Sequence, residues 1–382
     1  MSLFDELGRH AELPFEQARM LPLAAYESDR LLEREIVELF GRDWLCVGRA
    51  IDIPQVGNFF TAEIPSSTGG DRKLIVMRSE DGEIRAFDNI CVHRGARLLV
   101  GCGTEARITC PYHAWVYRTD GSLVGGPYLA GSVESDGRPF DASNHRLAEL
   151  RVEVWHGFVF VNQNDQAGPL ADRLTGLDHV VARYSMAGYV PVHDQVDVWD
   201  TNWKLLVENF MDAYHVFKVH KNSFGAAGDS IDETKMFPGT EHWAHHLVVE
   251  QARPELAHPS NSALIGAWRH TTVLAAVFPG FVVQLQPDWM WFLRLTPIGT
   301  SQVRIAWQVA VAPEMLAAQS DPDAYVTELM TLIHLVNSED QPIVEGIRSG
   351  VDRPQFERAP LSYLERNVYD FDRYICRRLG IG

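Results

Sequence analysis

Cys91-Val92-His93 and, after sixteen intervening residues, Cys110-Pro111-Tyr112-His113 constrain this chain more than any other feature in it. Each arm offers one thiolate and one imidazole. That pairing suits a [2Fe–2S] cluster held unevenly, with two thiolates on one iron and two imidazoles on the other. Neutral imidazoles in place of anionic thiolates raise the reduction potential of such a cluster. They also leave ring N–H groups free to carry a hydrogen bond or a proton. Gly95, Gly101 and Gly103 follow the first arm, and Pro111 and Gly121 flank the second. Two tight ligand loops need residues of this kind. Zinc also accepts two Cys and two His, but zinc fingers usually pair Cys with Cys and His with His along the chain.

A second group of metal-binding side chains follows. Asn202 to His215 reads as a helix, with Asp200 or Thr201 as its N-cap. Glu208, Asp212 and His215 are spaced i, i+4, i+7 and fall on one helical face. His220 lies about 140° around an ideal helix from His215, so the helix must end or deform for both to meet one metal. Two imidazoles and a carboxylate on one face of an octahedron leave positions open for O₂. The alternative is a polar helix face with two incidental histidines, in a chain that holds fifteen. Further on, Asp321-Pro322 reads as a helix start. An apolar stretch follows through Tyr325, Leu329, Leu332, Ile333 and Val336. Pro342 predicts a kink or restart there, with Ser338 and Gln341 as a capping box. Glu339 and Asp340 would then be first-turn acids favoured by the helix dipole.

With Arg94-Gly95 after the first His and Trp115 after the second, the Cys/His pattern resembles the Rieske domain of the ring-hydroxylating and N-demethylating oxygenases. Ala114 stands where many members have Gly. Asn209-Phe210-x-Asp212-x-Tyr214-His215-x₄-His220, followed by Glu339-Asp340-x₄-Glu345, resembles the catalytic domain of the same family. The resemblance runs from roughly Trp44 to Glu345. It implies an α+β chain: a β-rich Rieske [2Fe–2S] domain, then a helix-grip catalytic domain built on an antiparallel sheet. It implies Cys91, His93, Cys110 and His113 as cluster ligands, and His215, His220 and Asp340 as ligands of a mononuclear Fe(II). Asp212 matches the acid that bridges the two centres between neighbouring subunits, with His113 of the partner subunit on its other side. A ring-shaped homotrimer follows from that route.

The bulk properties agree. A chain of 382 residues fits two domains with separate cores. Residues 1–40 read as an acidic helical segment packing on the catalytic domain, with Leu31, Leu32, Ile36, Leu39 and Phe40 as its apolar stripe. Alternating strands dominate 41–162, among them 73–77, 84–87 and 157–161, with Asp81-Gly82 and Asp120-Gly121 as hairpin turns. The polar run 162–169 is the predicted boundary, and 163–382 the catalytic domain. There Val277–Gln286, Trp289–Thr296 and Val303–Val311 read as strands. Five cysteines, an odd number, argue against a disulfide scaffold. Cys46, Cys102 and Cys376 are expected to be buried small hydrophobes. No apolar run reaches membrane-spanning length. A net charge of −17 disfavours nucleic acid as a partner. A reduced cytoplasm is the expected location.

The resemblance implies a terminal oxygenase that hydroxylates or oxidatively N-demethylates a small organic substrate with O₂. No phosphate-binding glycine loop is present, so electrons from NAD(P)H must arrive through a partner reductase, directly or by way of a ferredoxin. The chain broadly resembles the choline- and betaine-oxidising branch, and an aromatic acid is the alternative substrate. A different class stays open, a Rieske electron carrier whose C-terminal domain only binds a ligand. Trp243, Trp268, Phe278, Phe281, Trp289, Trp291 and Phe292 read either as a cage for a methylated ammonium or as a slot for an aromatic ring. Ordinary sheet core is the third reading.

Overall fold

Alternating apolar and polar residues over 45–162 build strands whose one face is buried. The computed structural model describes residues 2–66, 69–129, 140–224, 231–250, 254–351 and 358–380. The chain packs as two units, Phe40–Pro169 and Met1–Leu39 together with Leu170–Gly382. The first holds β1 (Leu45–Arg49), β2 (Asn58–Pro65), β3 (Asp71–Arg78), β4 (Ile84–Asp88) and β5 (Cys102–Thr104). It also holds β6 (Ile108–Thr109), β7 (Val116–Tyr117), β8 (Leu123–Gly125), β9 (Glu149–Trp155) and β10 (Phe158–Asn162). Seven of these pair in the order β1-β10-β9-β4-β3-β2-β5, and β6-β7-β8 form a small second sheet. The β3–β4 and β7–β8 turns carry Gly82 and Gly121 at φ of +84° and +82°. At Gly121 a Cβ would also stand 2.6 Å from the Phe87 ring, so glycine is needed for conformation and for space.

The other unit is a second antiparallel sheet gripping helices. Its strands are β11 (Val190–Trp199), β12 (Thr234–Met236), β13 (Trp243–Val249), β14 (Thr271–Val277), β15 (Phe281–Leu285), β16 (Trp289–Pro297) and β17 (Val303–Val311). They pair in the order β11-β17-β16-β15-β14-β13-β12. The helices are α1 (Leu3–Ala11), α2 (Asp29–Glu35), α3 (Leu170–Val181), α4 (Trp203–Met211), α5 (Val216–Val219), α6 (Pro313–Ala318), α7 (Pro322–Val351) and α8 (Arg366–Leu379). α4 lies against β14, β16, α7 and α8, and α1 packs on α8. Almost every side chain of α4 is buried, Lys204 and Glu208 included. Lys204 is tied to buried Glu35 at 2.6 Å, and Glu208 accepts a hydrogen bond from Tyr26 at 2.8 Å. Buried charges demand such partners.

Four local expectations are corrected. α4 ends at Met211, not His215, and its N-cap is Asn202, whose side chain accepts from the Lys204 N–H. Asp212 has extended backbone (φ −81°, ψ 111°), and its Oδ1 takes the Tyr214 N–H at 2.6 Å. A short acid side chain has captured a backbone donor that the helix needed. α7 neither ends nor restarts at Pro342, which sits inside one 30-residue helix. Ser338 donates to Leu335 O rather than forming a capping box, and Gln341 donates to Glu345. The expected strand 277–286 is two strands, broken at Phe278-Pro279-Gly280, where a Cβ on Gly280 would meet Leu295 O at 2.6 Å. Finally, Cys102 is exposed, because β5 is an exposed edge strand. Among the described residues no helix is long and apolar enough to cross a membrane.

Candidate metal centres and active-site cavity

The two Cys/His arms fold into equivalent loops. Cys91 N donates to Ala96 O at 2.8 Å and Gly95 N to Cys91 O at 2.8 Å. Cys110 N donates to Trp115 O at 2.8 Å and Ala114 N to Cys110 O at 3.0 Å, the same i+5 and i+4 pattern. The fifth residue of each loop is left-handed, Gly95 at φ +73° and Ala114 at φ +54°. The alanine therefore carries strain that glycine does not. Buried Asn89 fastens the far side of the first loop, accepting from Leu98 N and Leu99 N and donating to Leu99 O.

Cys91 and Cys110 sit in the apolar core, each 2% exposed, whereas His93 is exposed and His113 half-buried. The imidazole centroids are 4.7 Å apart, and His93 stacks on Trp115 at 4.6 Å. His113 Nδ1 is buried with no hydrogen-bond partner among the described residues, as a metal-ligating nitrogen would be. The Tyr117 hydroxyl lies 3.1 Å from Cys91 Sγ, and burial pushes its pKa up, so it stays a donor toward a thiolate. Buried thiolates with outward imidazoles fit the uneven cluster.

The second centre is a triangle of donor atoms. His215 Nε2 stands 3.2 Å from His220 Nε2, and Asp340 Oδ1 is 3.5 and 3.2 Å from these two. Adjacent corners of an octahedron with bonds of about 2.1 Å lie about 3 Å apart, so the triangle matches one octahedral face. The two histidines bracket the single turn of α5, His215 as its N-cap and His220 as its C-cap. Asp340 comes from α7, where Leu329, Ile333, Val336, Asp340 and Val344 form the buried stripe. An acid thus occupies a core position, 8% exposed. The start of α4 is tied to α7 by Thr201 Oγ1 donating to Val344 O and Asp200 N donating to Glu345.

Electrostatics fit a cation at this point. Burial alone would push His215 down, yet contacts with Asp212 and Asp340 outweigh it and hold its pKa at about 9. Burial would raise Asp340, yet His215 and His220 bring it to about 2. Each imidazole also has a carboxylate behind it. Asp212 Oδ2 is 3.3 Å from His215 Nδ1, and Glu339 Oε2 is 3.0 Å from His220 Nδ1. Ser223 Oγ donates to Glu339 Oε2 at 2.6 Å. Such carboxylates fix the tautomer and raise the basicity of a metal-bound histidine. The roles of Glu339 and Ser223 were not read from the sequence. An acid beside the proposed ligand was the only signal.

The triangle opens on a cavity of about 590 Å³. Its floor is the face of the sheet, in two transverse rows. His246, Leu274, Gln284 and Trp291 are register partners on β13 to β16. Val248 and Thr272 pair two residues further along, with Gln286 and Trp289 beyond. All eight line the cavity. Of the seven aromatics singled out by sequence, Trp289 and Trp291 face it, joined by Phe210 and Phe224. Trp243, Phe278, Phe281 and Phe292 are buried core, and Trp268 lies under the Arg183 guanidinium at 3.7 Å. No described lining residue is Lys or Arg.

Comparison with known proteins accords with this geometry. Residues 43–136 match the Rieske [2Fe-2S] domain. The glycine betaine monooxygenase oxygenase subunit of Chromohalobacter salexigens is 37% identical over 201 residues, 52% of this chain and 43% of that protein. The chain thus matches less than half the length of that relative. The chloroplastic choline monooxygenase of Beta vulgaris is 24% identical over 375 residues, 96% of this chain and 79% of the relative. A solved quaternary ammonium Rieske monooxygenase, described for carnitine oxidation and inter-subunit electron transfer, superposes with a TM-score of 0.78. It is 22% identical and covers 96% of this chain and 99% of its own. Residues 182–381, just over half the chain, match the ring hydroxylating alpha subunit (catalytic domain), and the chain belongs to that family.

Proposed function

We propose that this chain is the terminal oxygenase component of a short electron-transfer chain. It takes electrons from an NAD(P)H-dependent reductase, directly or through a ferredoxin, and uses O₂ to hydroxylate or oxidatively N-demethylate a small amine. The observation that carries this reading is the His215–His220–Asp340 triangle at one side of an aromatic cavity whose described lining holds no Lys or Arg. Such walls suit a cationic ammonium, which aromatic faces attract, better than an aromatic carboxylate. The names of the betaine and choline relatives support the same substrate class.

When bound, the mononuclear iron would supply O₂ activation and the [2Fe–2S] cluster an electron. The protein's own part is positioning. His215, His220 and Asp340 would hold the mononuclear iron by one face, and Cys91, His93, Cys110 and His113 the cluster. Asp212 and Glu339 orient the two imidazoles from behind. Trp289, Trp291 and Phe210 place the substrate and exclude water. Asp212, beside His215, is proposed to link this centre to a cluster histidine of a neighbouring subunit in a homotrimer. None of the five cysteines forms a disulfide, which suits a reducing cytoplasm.

The test is iron content and substrate-dependent O₂ uptake by the reconstituted protein with a surrogate reductase and a panel of small amines and aromatic acids. Three irons per chain and amine-dependent uptake are expected. Two irons per chain without uptake would instead indicate an electron carrier.

A further inference from the structure

The first transverse row of the cavity floor carries two polar side chains that the iron centre does not use. His246 is 2% exposed, and its Nδ1 lies 3.1 Å from Asn367 Oδ1. Asn367 donates its own Nδ2 to Phe237 O at 3.0 Å, so its Oδ1 is the end left to face the imidazole. An amide oxygen only accepts, so His246 Nδ1 must carry the proton. Nε2 is then a lone pair, with no partner among the described residues, on a side chain that lines the cavity. Burial pushes the His246 pKa down to about 4, which keeps the ring neutral at ordinary pH. Gln284, 5% exposed and in the same transverse row, also lines the cavity, its side chain without a hydrogen-bond partner among the described residues. Trp291 is its register partner on the next strand, about 5 Å away.

We propose that His246 Nε2 and the Gln284 amide accept a donor group of the substrate, so that the site takes a small ammonium bearing a hydroxyl in preference to one bearing a carboxylate. This rests on the reading of the cavity as an ammonium site. A hydroxyl donates to the imidazole lone pair while the ammonium meets the Trp291 and Trp289 faces. A carboxylate has only acceptors, so it opposes that lone pair. It also meets Asp212, Asp288 and Asp340 of the same lining, which holds no described Lys or Arg. An unmatched buried polar group is what gives such a site its discrimination.

The test is calorimetric binding of choline, glycine betaine and tetramethylammonium to the metal-loaded protein. Choline is expected to bind about tenfold more tightly than glycine betaine, the value of one well-placed hydrogen bond. His246→Leu should bring that ratio within about twofold and leave tetramethylammonium binding unchanged. His246→Gln, whose side-chain oxygen can stand near the Nε2 position, should retain most of the preference. Should His246→Leu fail to fold, Gln284→Leu makes the same comparison and should lower the ratio. Equal or tighter binding of glycine betaine, or an unchanged ratio in the folded leucine variant, overturns the proposal and spares the ammonium reading. If none of the three ligands binds, the ammonium reading falls and the proposal with it.

Discussion

Glu339 provides the sharpest check on how the second centre is built. Its Oε2 receives the His220 Nδ1 proton at 3.0 Å and the Ser223 hydroxyl at 2.6 Å. Glu339→Ala removes both interactions, leaving the His220 Nδ1 proton without an acceptor and Ser223 Oγ with only its 3.4 Å contact to His220 O. A hydrogen bond to a charged group contributes about 1.5 to 3 kcal/mol. At 1.4 kcal/mol per decade that is roughly a 10- to 100-fold loss of affinity for mononuclear iron, the range expected when a metal-bound histidine loses its carboxylate. Glu339→Gln keeps the shape and one acceptor oxygen, so its loss should lie near the lower end. Competition with a chelator at fixed pH measures the affinity, and the visible absorbance of the cluster reports that the other unit is intact. Iron affinity in Glu339→Ala within twofold of the parent would refute the claim that this carboxylate holds His220.

Direct ligand changes should be harsher: His215→Ala, His220→Ala and Asp340→Ala should each lose mononuclear iron and turnover while keeping the cluster spectrum. Full turnover in any of them would contradict the triangle. Ala114→Gly relieves a left-handed alanine at φ +54° and should stabilise the protein by about 1 kcal/mol in thermal or urea unfolding; an unchanged or lowered midpoint would count against it. Burial raises Glu208 to about 7, above the roughly 4.3 of an unfolded chain. Its contribution to stability is therefore full below the lower value and is lost as pH rises through the upper one. Glu208→Gln should accordingly gain on the parent more at pH 8 than at pH 5 in urea unfolding, and equal differences at both would refute this. Asp212→Asn should leave both centres metallated but slow reoxidation of the cluster. Hybrids of a Cys91→Ser chain with a His215→Ala chain should regain activity, and hybrids that form yet stay inactive would exclude the inter-subunit route.

Much of this was legible because chemistry fixes spacing. Cysteine and histidine in mixed pairs suit few metal groups, and the loops around them demand turn residues that stand in the sequence. Helix ends were harder. Nothing between Trp203 and His215 is a Gly or Pro, so propensity alone carries the helix through. The stop comes from Asp212 capturing the Tyr214 N–H, an Asx turn that competes locally with the helix. Pro342 misled in the opposite sense. The stripe from Leu329 to Val344 is buried against the core on both sides of it, and tertiary packing kept the helix whole. The break in 277–286 was written as Pro279-Gly280 and was readable. Which aromatics face the cavity was not, because alternation assigns them to faces only once the strand ends are known.

The unbroken helix that carries Asp340 has a consequence for how this chain can vary in length. Each residue added or removed between Val336 and Asp340 turns the carboxylate by about 100° against the apolar side chains upstream of it. Leu329, Ile333 and Val336 could then stay buried, or Asp340 could stay in the triangle, but not both. Among short changes, seven or eleven residues, close to two or three full turns, return both to within about 20° of one face. Viable insertions and deletions should therefore be sparse along this stretch of α7, or come in sevens and elevens.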